Sequence, residues 1–182
     1  MAKHRLLVTV ATRLEPFDRL IALADTLIEA LDGDVDGVCQ FGKCTARSRY
    51  LENVSFLERA AFADAVECAD LILTGAGAGT LSICIAKGHR PFVLPRRHDL
   101  GECVNDHQFE LADALASRGH TIDASREDIA DVFVRAAREG LRHPARETDV
   151  SLPNINLAHN AKYELPAHVV RSLAKWLTLL GN

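Results

Sequence analysis

The stretch Leu71-Ile72-Leu73-Thr74-Gly75-Ala76-Gly77-Ala78-Gly79-Thr80 decides how this chain is read. A short apolar run bounded by glycine predicts a buried strand, and the glycine-alanine turn after it leads into a helix that runs to Lys87-Gly88. Lacking a Cβ at 75, 77 and 79, the turn can take positive φ and lie against a phosphate. Thr80 is expected to cap the helix or to bond the same oxygens. Downstream, Pro91-Phe92-Val93-Leu94-Pro95 predicts a second strand, which opens into a polar loop, Arg96-Arg97-His98-Asp99-Leu100-Gly101-Glu102, that ends at Asn105-Asp106-His107-Gln108. Two strand ends and a helix start therefore meet. In an open α/β sheet this is where ligands bind, because unpaired N–H groups and the helix dipole favour an anion there.

The flanks repeat the same alternation. Arg5 to Thr12 is a continuous, branched apolar run suited to a central strand buried on both faces. It ends in the polar turn Arg13-Leu14-Glu15-Pro16, and Phe17, Leu20, Ile21, Ala24, Leu27, Ile28 and Leu31 then recur at helical spacing before Asp32-Gly33. Gly37 to Gly42 predicts another short strand, and Phe56 to Cys68 a helix. Beyond the central segment, a helix over residues 109–116, a strand at His120-Thr121-Ile122 and a helix opening at Ser125 complete the series. Strands alternating with helices predict a Rossmann-like α/β domain over residues 1–140, with a mainly parallel sheet and helices on both faces. Residues 141–166 turn to Pro, Asn, His and charge, the composition of an extended connector. A last helix is expected within 167–182, with Val169, Leu173, Trp176, Leu177 and Leu180 on one face, suited equally to the chain's own sheet or to another protein.

Composition narrows the function classes. With 182 residues, 48% hydrophobic and 25% charged, the chain has the makeup of a globular domain, and a net charge of −4 gives no reason to expect nucleic acid. Five cysteines, odd in number and without a C-x-x-C pair, argue for a reducing, cytoplasmic setting and against a disulfide framework or zinc ribbon. Cys84 and Cys103 read as small apolar fillers, and the eight histidines show no metal-ligand spacing, so no metal is expected. No signal peptide and no apolar run of about 18 residues is seen, so any membrane contact is expected to be peripheral or through a partner.

Gly-x-Gly-x-Gly after a strand fits several nucleotide sites. A triphosphate loop needs Gly-Lys-Ser/Thr, and Gly79-Thr80-Leu81 lacks the lysine. A dinucleotide fold places its glycines in the first βα unit, whereas these come late, although Arg96 and Arg97 could meet a 2′-phosphate. A nucleoside diphosphate-sugar is the remaining ligand. Val8-Thr9-Val10-Ala11-Thr12 with Pro16-Phe17-Asp18-Arg19-Leu20-Ile21, Ala69 to Thr80, and then Gly88, Pro91, Pro95 and Asp106-His107-Gln108-Phe109-Glu110-Leu111-Ala112 follow in order. Across roughly residues 5–120 this resembles the C-terminal domain of glycosyltransferase family 28, in the standalone donor-binding subunits of that family.

The resemblance implies the UDP-sugar-binding, C-terminal half of a GT-B enzyme, acting on a lipid-linked acceptor in polysaccharide or glycolipid biosynthesis. It implies no cofactor beyond the donor, expected to be UDP-glucuronate or UDP-N-acetylglucosamine. Thr12, Arg13, Gly77, Ala78, Gly79 and Thr80 map onto the diphosphate, and His107 and Gln108 onto the sugar hydroxyls, with Arg13 and His107 expected in catalytic roles. The acceptor-activating base of such enzymes lies in the other domain, so a membrane-anchored acceptor-binding subunit is implied as partner. Two departures stand out: Ala11 replaces a glycine of the first loop, and Ile83 stands beside Ser82 where relatives place an acidic ribose ligand, so either Ser82 or a neighbour takes over that contact or donor affinity is reduced. Arg96, Arg97 and His98 read more readily as a solvated loop; the sharper alternative pairs one of them, with Arg97 singled out, with a uronate carboxylate. Glu102 reads as an exposed loop carboxylate. A non-catalytic binding or regulatory protein on the same fold is the competing class, supported by Ile83.

Overall fold

The computed structural model describes residues 3–104 and 107–140. Six strands, β1 (His4–Thr9), β2 (Val35–Gln40), β3 (Glu52–Val54), β4 (Leu71–Gly75), β5 (Phe92–Leu94) and β6 (Ile122–Asp123), form one sheet in the order β3-β2-β1-β4-β5-β6. Every adjacent pair is parallel. The helices are α1 (Asp18–Glu29), α2 (Arg59–Cys68), α3 (Ala78–Ala86), α4 (His107–Ser117) and α5 (Ile129–Glu139). This is the doubly wound order, in which the direction of winding reverses between β1 and β4.

Strand periodicity assigns the helices to their faces. Leu6 and Val8 of β1, Leu71 and Leu73 of β4, and Phe92 and Leu94 of β5 point to one side, into a cluster with Phe17, Leu20, Ala24, Leu27 and Ile28 of the first helical segment and Phe133 of α5. Phe92 and Phe133 meet edge to face, with ring centroids 5.0 Å apart. Leu7 and Ile72 point to the other side, onto Val66 of α2 and Cys84 of α3. Val93 does likewise, packing with Leu81 and Leu111. Cys84 acts as an apolar filler, burial pushing its thiol up to about 12, and Cys103 is buried as well.

Several expected boundaries move. The first strand ends at Thr9, since Ala11 has a left-handed φ of 62°; β2 begins at Val35 and not Gly37; and α2 begins at Arg59, leaving Phe56 on the surface. The last described helix starts at Ile129, after a turn at Ser125. Strand β3 was not foreseen, being three residues long and polar, and its place on the sheet comes from pairing with β2, register Val38 to Glu52. The connector at 141–166 and the helix expected within 167–182 lie outside the described residues. No helix among the described residues is long and apolar enough to cross a membrane.

Candidate functional site

The site is built where β1 and β4 run side by side, Thr9 opposite Thr74, and their following segments part to opposite faces. After β1, the loop from Val10 to Phe17 is held at its start. The Ala11 amide donates to Thr9 Oγ1 at 3.1 Å, and Gln40 Nε2 donates to the Ala11 carbonyl at 3.3 Å. The next amides, those of Thr12 and Arg13, have no acceptor among the described residues, and both side chains are exposed. Arg13 Nε lies 3.3 Å from Glu15 Oε2. A hydrogen bond to its own backbone, and then Arg13, hold the Glu15 carboxyl below its ordinary value.

After β4 the chain turns through Ala76 and Gly77 into α3. Gly77 is the N-cap residue with φ −83°, no side chain caps the helix, and the N–H groups of Ala78, Gly79 and Thr80 have no acceptor among the described residues. The expected cap by Thr80 is thus corrected: Thr80 is the third residue inside the helix. The positive φ open to these glycines is not used, since Gly75, Gly77 and Gly79 all lie outside that region. The three glycines differ in space instead. A Cβ on Gly75 would sit 3.2 Å from Phe17 Cε1, so that residue is small because the core requires it. A Cβ on Gly77 would meet only Ala11 Cβ, at 3.9 Å, and one on Gly79 nothing within 4 Å. Among the described residues nothing calls for glycine at 79. That leaves open backbone beside unpaired donors at the positive end of a helix, the arrangement an anion needs.

The loop after β5 is made differently. Arg96, expected on a solvated loop, is 1% exposed, the largest fully buried side chain among the described residues. Its Nη1 donates to the carbonyls of Glu15 at 2.8 Å and Glu102 at 2.9 Å, its Nη2 to that of Val10 at 2.9 Å, and its guanidinium lies 4.5 Å from the Phe17 ring centroid. Burial lowers its pKa from the usual arginine value. Glu102, expected exposed, is likewise buried: its carboxylate accepts from Arg19 Nε at 3.0 Å, Arg19 Nη2 at 2.8 Å and the Arg97 amide at 2.9 Å. Neither was visible in the sequence, because the groups that bury them come from residues about 80 positions away. The signal available was an arginine directly after a buried parallel strand.

The remaining sequence-derived candidates separate. Ser82 Oγ donates to the Ala78 carbonyl at 2.8 Å, a bond within its own helix, and Ile83 packs against the cluster beneath. Gln108 Oε1 accepts from the Arg96 amide at 3.3 Å. The side chain of His107 lies outside the described residues. Arg97 is half-exposed and forked on Asp99, Nε to Oδ1 at 3.0 Å. It lines a separate cleft of about 990 Å³ at the ends of β5 and β6, with Arg19, Pro95, Phe109 and Arg126, which none of Thr12, Arg13 and Gly77 to Thr80 borders. No cluster of His, Cys, Asp and Glu suited to a metal occurs among the described residues.

Comparison with known proteins bears on the fold. No family model and no curated protein matches the sequence. Among solved structures, the glycotransferase of kitacinnamycin superposes with a TM-score of 0.51 over 78% of this chain, at 20% identity. The glycosyltransferase SnogD from Streptomyces nogalater gives 0.50 over 75%, also at 20% identity. The fold is one half of a GT-B glycosyltransferase. The chain spans about two-fifths of the length of each, 39% in both cases.

Proposed function

We propose that this chain is the donor-binding subunit of a UDP-sugar-dependent glycosyltransferase, completed by a second, membrane-anchored polypeptide that holds a lipid-linked acceptor. The observation that carries the reading is the turn at Gly77 to Thr80, where three helix-start amides lack acceptors and a side chain at Gly79 would meet nothing within 4 Å among the described residues. The resemblance to the C-terminal domain of glycosyltransferase family 28, and the likeness of fold to two glycosyltransferases of which the chain spans only part, support it.

In the proposed reaction the acceptor oxygen attacks the anomeric carbon, the bond from that carbon to the β-phosphate oxygen breaks, and UDP leaves with the bonding pair. The acceptor proton goes to a base on the partner polypeptide. Charge grows on the diphosphate as the bond lengthens, and fixed amides of Ala78, Gly79 and Thr80, with those of Thr12 and Arg13 across from them, stabilise it without reorganising. Arg13 adds a cation, and its exposed pairing with Glu15 is weak enough to yield to a diphosphate. The donor is UDP-N-acetylglucosamine or UDP-glucuronate. A uronate would reach Arg97 only by displacing Asp99, so the sugar's identity rests on groups outside this turn.

Calorimetry of the full chain with UDP tests the reading. Saturable binding is expected, weakened at least a hundredfold by Gly79→Val, whose side chain fills the open space without touching the core. Absence of UDP binding, with the partner present, overturns it. Ser82 tied to its own helix and Ile83 turned to the core leave the ribose without an acidic ligand, which favours the second reading, a nucleotide-binding subunit without transferase activity. UDP binding with no sugar transfer by the assembled complex selects that reading.

A further inference from the structure

We propose that Arg96 is the positioning residue of the diphosphate site, its guanidinium fixing the loop after β1 against the glycine turn; this rests on the nucleotide reading above. The acceptors of Arg96 are all backbone carbonyls and come from three stretches of chain. Val10 lies where β1 ends, Glu15 and Pro16 where the loop rejoins α1, and Glu102 at the far end of the loop after β5. Val10 and Glu15 bracket the segment that carries the unpaired amides of Thr12 and Arg13. One rigid fork therefore ties both ends of that segment, and a lysine ammonium, with three donors at a single point, cannot span the same carbonyls.

The contact continues to the other half of the site. The guanidinium stacks on Phe17, and Phe17 Cε1 sits 3.2 Å from where a side chain on Gly75 would begin. Arg96, Phe17 and the glycine turn are thus in series, so the fork sets the spacing between the amides of the two loops. A structural role alone is a poor account of this residue. Among the described residues no carboxylate pairs with Arg96, since the Glu102 carboxylate is taken by Arg19 and by the Arg97 amide. Burying an unpaired cation is costly, and an apolar side chain would fill the core more cheaply. What the guanidinium adds is a fixed loop geometry and a positive charge beneath the place where an anion binds.

The test compares three probes on the full chain: UDP, inorganic pyrophosphate and uridine, each titrated into wild type and Arg96→Lys. The variant keeps the charge and loses the fork; its fold is checked by circular dichroism. Tenfold or greater weakening of UDP and pyrophosphate, with uridine changed less than twofold, is expected. Arg96→Lys binding UDP as tightly as wild type overturns the inference, and so does a loss that uridine shares in full, which would mark Arg96 as part of the fold alone. Should the variant fail to fold, amide exchange on wild type decides. UDP is expected to slow exchange at Thr12 and Arg13, and unchanged exchange there with UDP bound overturns the inference. Wild type that binds no UDP overturns the nucleotide reading itself, and this with it, whereas UDP binding with an indifferent Lys variant overturns only the role of Arg96.

Discussion

The loops on the carboxyl edge of this sheet are of two kinds. Around Gly77 to Thr80, and at Thr12 and Arg13, backbone donors lack acceptors among the described residues, and beside Gly79 no described side chain comes near. After β5, every strong group is engaged: Arg96 on four carbonyls, and Glu102 on Arg19 and the Arg97 amide. Buried polar groups nearly always find partners within the protein, whereas exposed loop amides and the first amides of a helix are free to meet water or a ligand. In the loop after β5 charge holds the chain in place, while the amides at Gly77 to Thr80 are the ones the proposed function assigns to a ligand.

Breaking the engaged side should cost stability first. Glu102→Ala removes the acceptor of two Arg19 donors and of the Arg97 amide. Losing one partner of a buried pair costs several kcal/mol, and because Arg19 keeps a third of its side chain in solvent the expected loss is about 2 kcal/mol. Urea denaturation measures it. A loss under half of that would mean that the loop after β5 is held by Arg96 alone.

The glycines sharpen the contrast within one motif. Gly75→Ala would press a methyl against the fully buried Phe17, which has no room to move beneath Arg96, and should destabilise by about 1–2 kcal/mol. Gly79→Ala places its methyl in open space on a helix and should stabilise by up to about 1 kcal/mol, while weakening UDP. A variant at 79 that gains stability and keeps full UDP affinity would break the comparison, because the space beside that turn would then not be ligand space.

The same contrast explains what the sequence revealed. The alternation of apolar strand runs with helical spacing, from Leu6 to Phe133, carried the parallel sheet and the two helix layers, because burial on both faces of a strand leaves an unbroken apolar signature. The glycine turn was legible as well, since only backbone is needed to make it. Arg96 and Glu102 were read as solvated, because the charges that look most exposed in sequence are buried by carbonyls and an arginine that only the closed fold brings near. Thr80 was read by residue type as a cap or a ligand of the same oxygens, while the N-cap position fell three residues earlier, at Gly77. Short, polar β3 carries no period at all and exists through its neighbour β2.

A smaller effect is expected at Ala11. Its φ of 62° costs an L-residue about 1–2 kcal/mol, partly offset because alanine loses less chain entropy than glycine on folding. Ala11→Gly should therefore gain about 0.5 kcal/mol in urea denaturation. A loss of stability instead would show that the alanine methyl, in contact range of Gly77, is part of the packing between the two loops.

The smallest effect belongs to Asp18, whose carboxylate lies on the engaged side. Oδ1 accepts from the amides of Thr45 at 2.9 Å and Ala46 at 3.0 Å, and Oδ2 from Thr45 Oγ1 at 2.7 Å. Burial pushes its pKa up, but these hydrogen bonds outweigh it and hold the group below the ordinary aspartate value. A folded-state pKa below the unfolded one means that the contribution is complete above about pH 4, the unfolded aspartate range, and is lost as pH falls through the folded value. The group is partly solvated, so the amount is some tenths of a kcal/mol. Asp18→Asn should accordingly be less stable than wild type at pH 7, and the gap should narrow as urea midpoints are followed down from pH 5 to pH 3. A gap that stays constant with pH would assign the effect to the shape of the side chain and remove its charge from the set of groups that hold the loops.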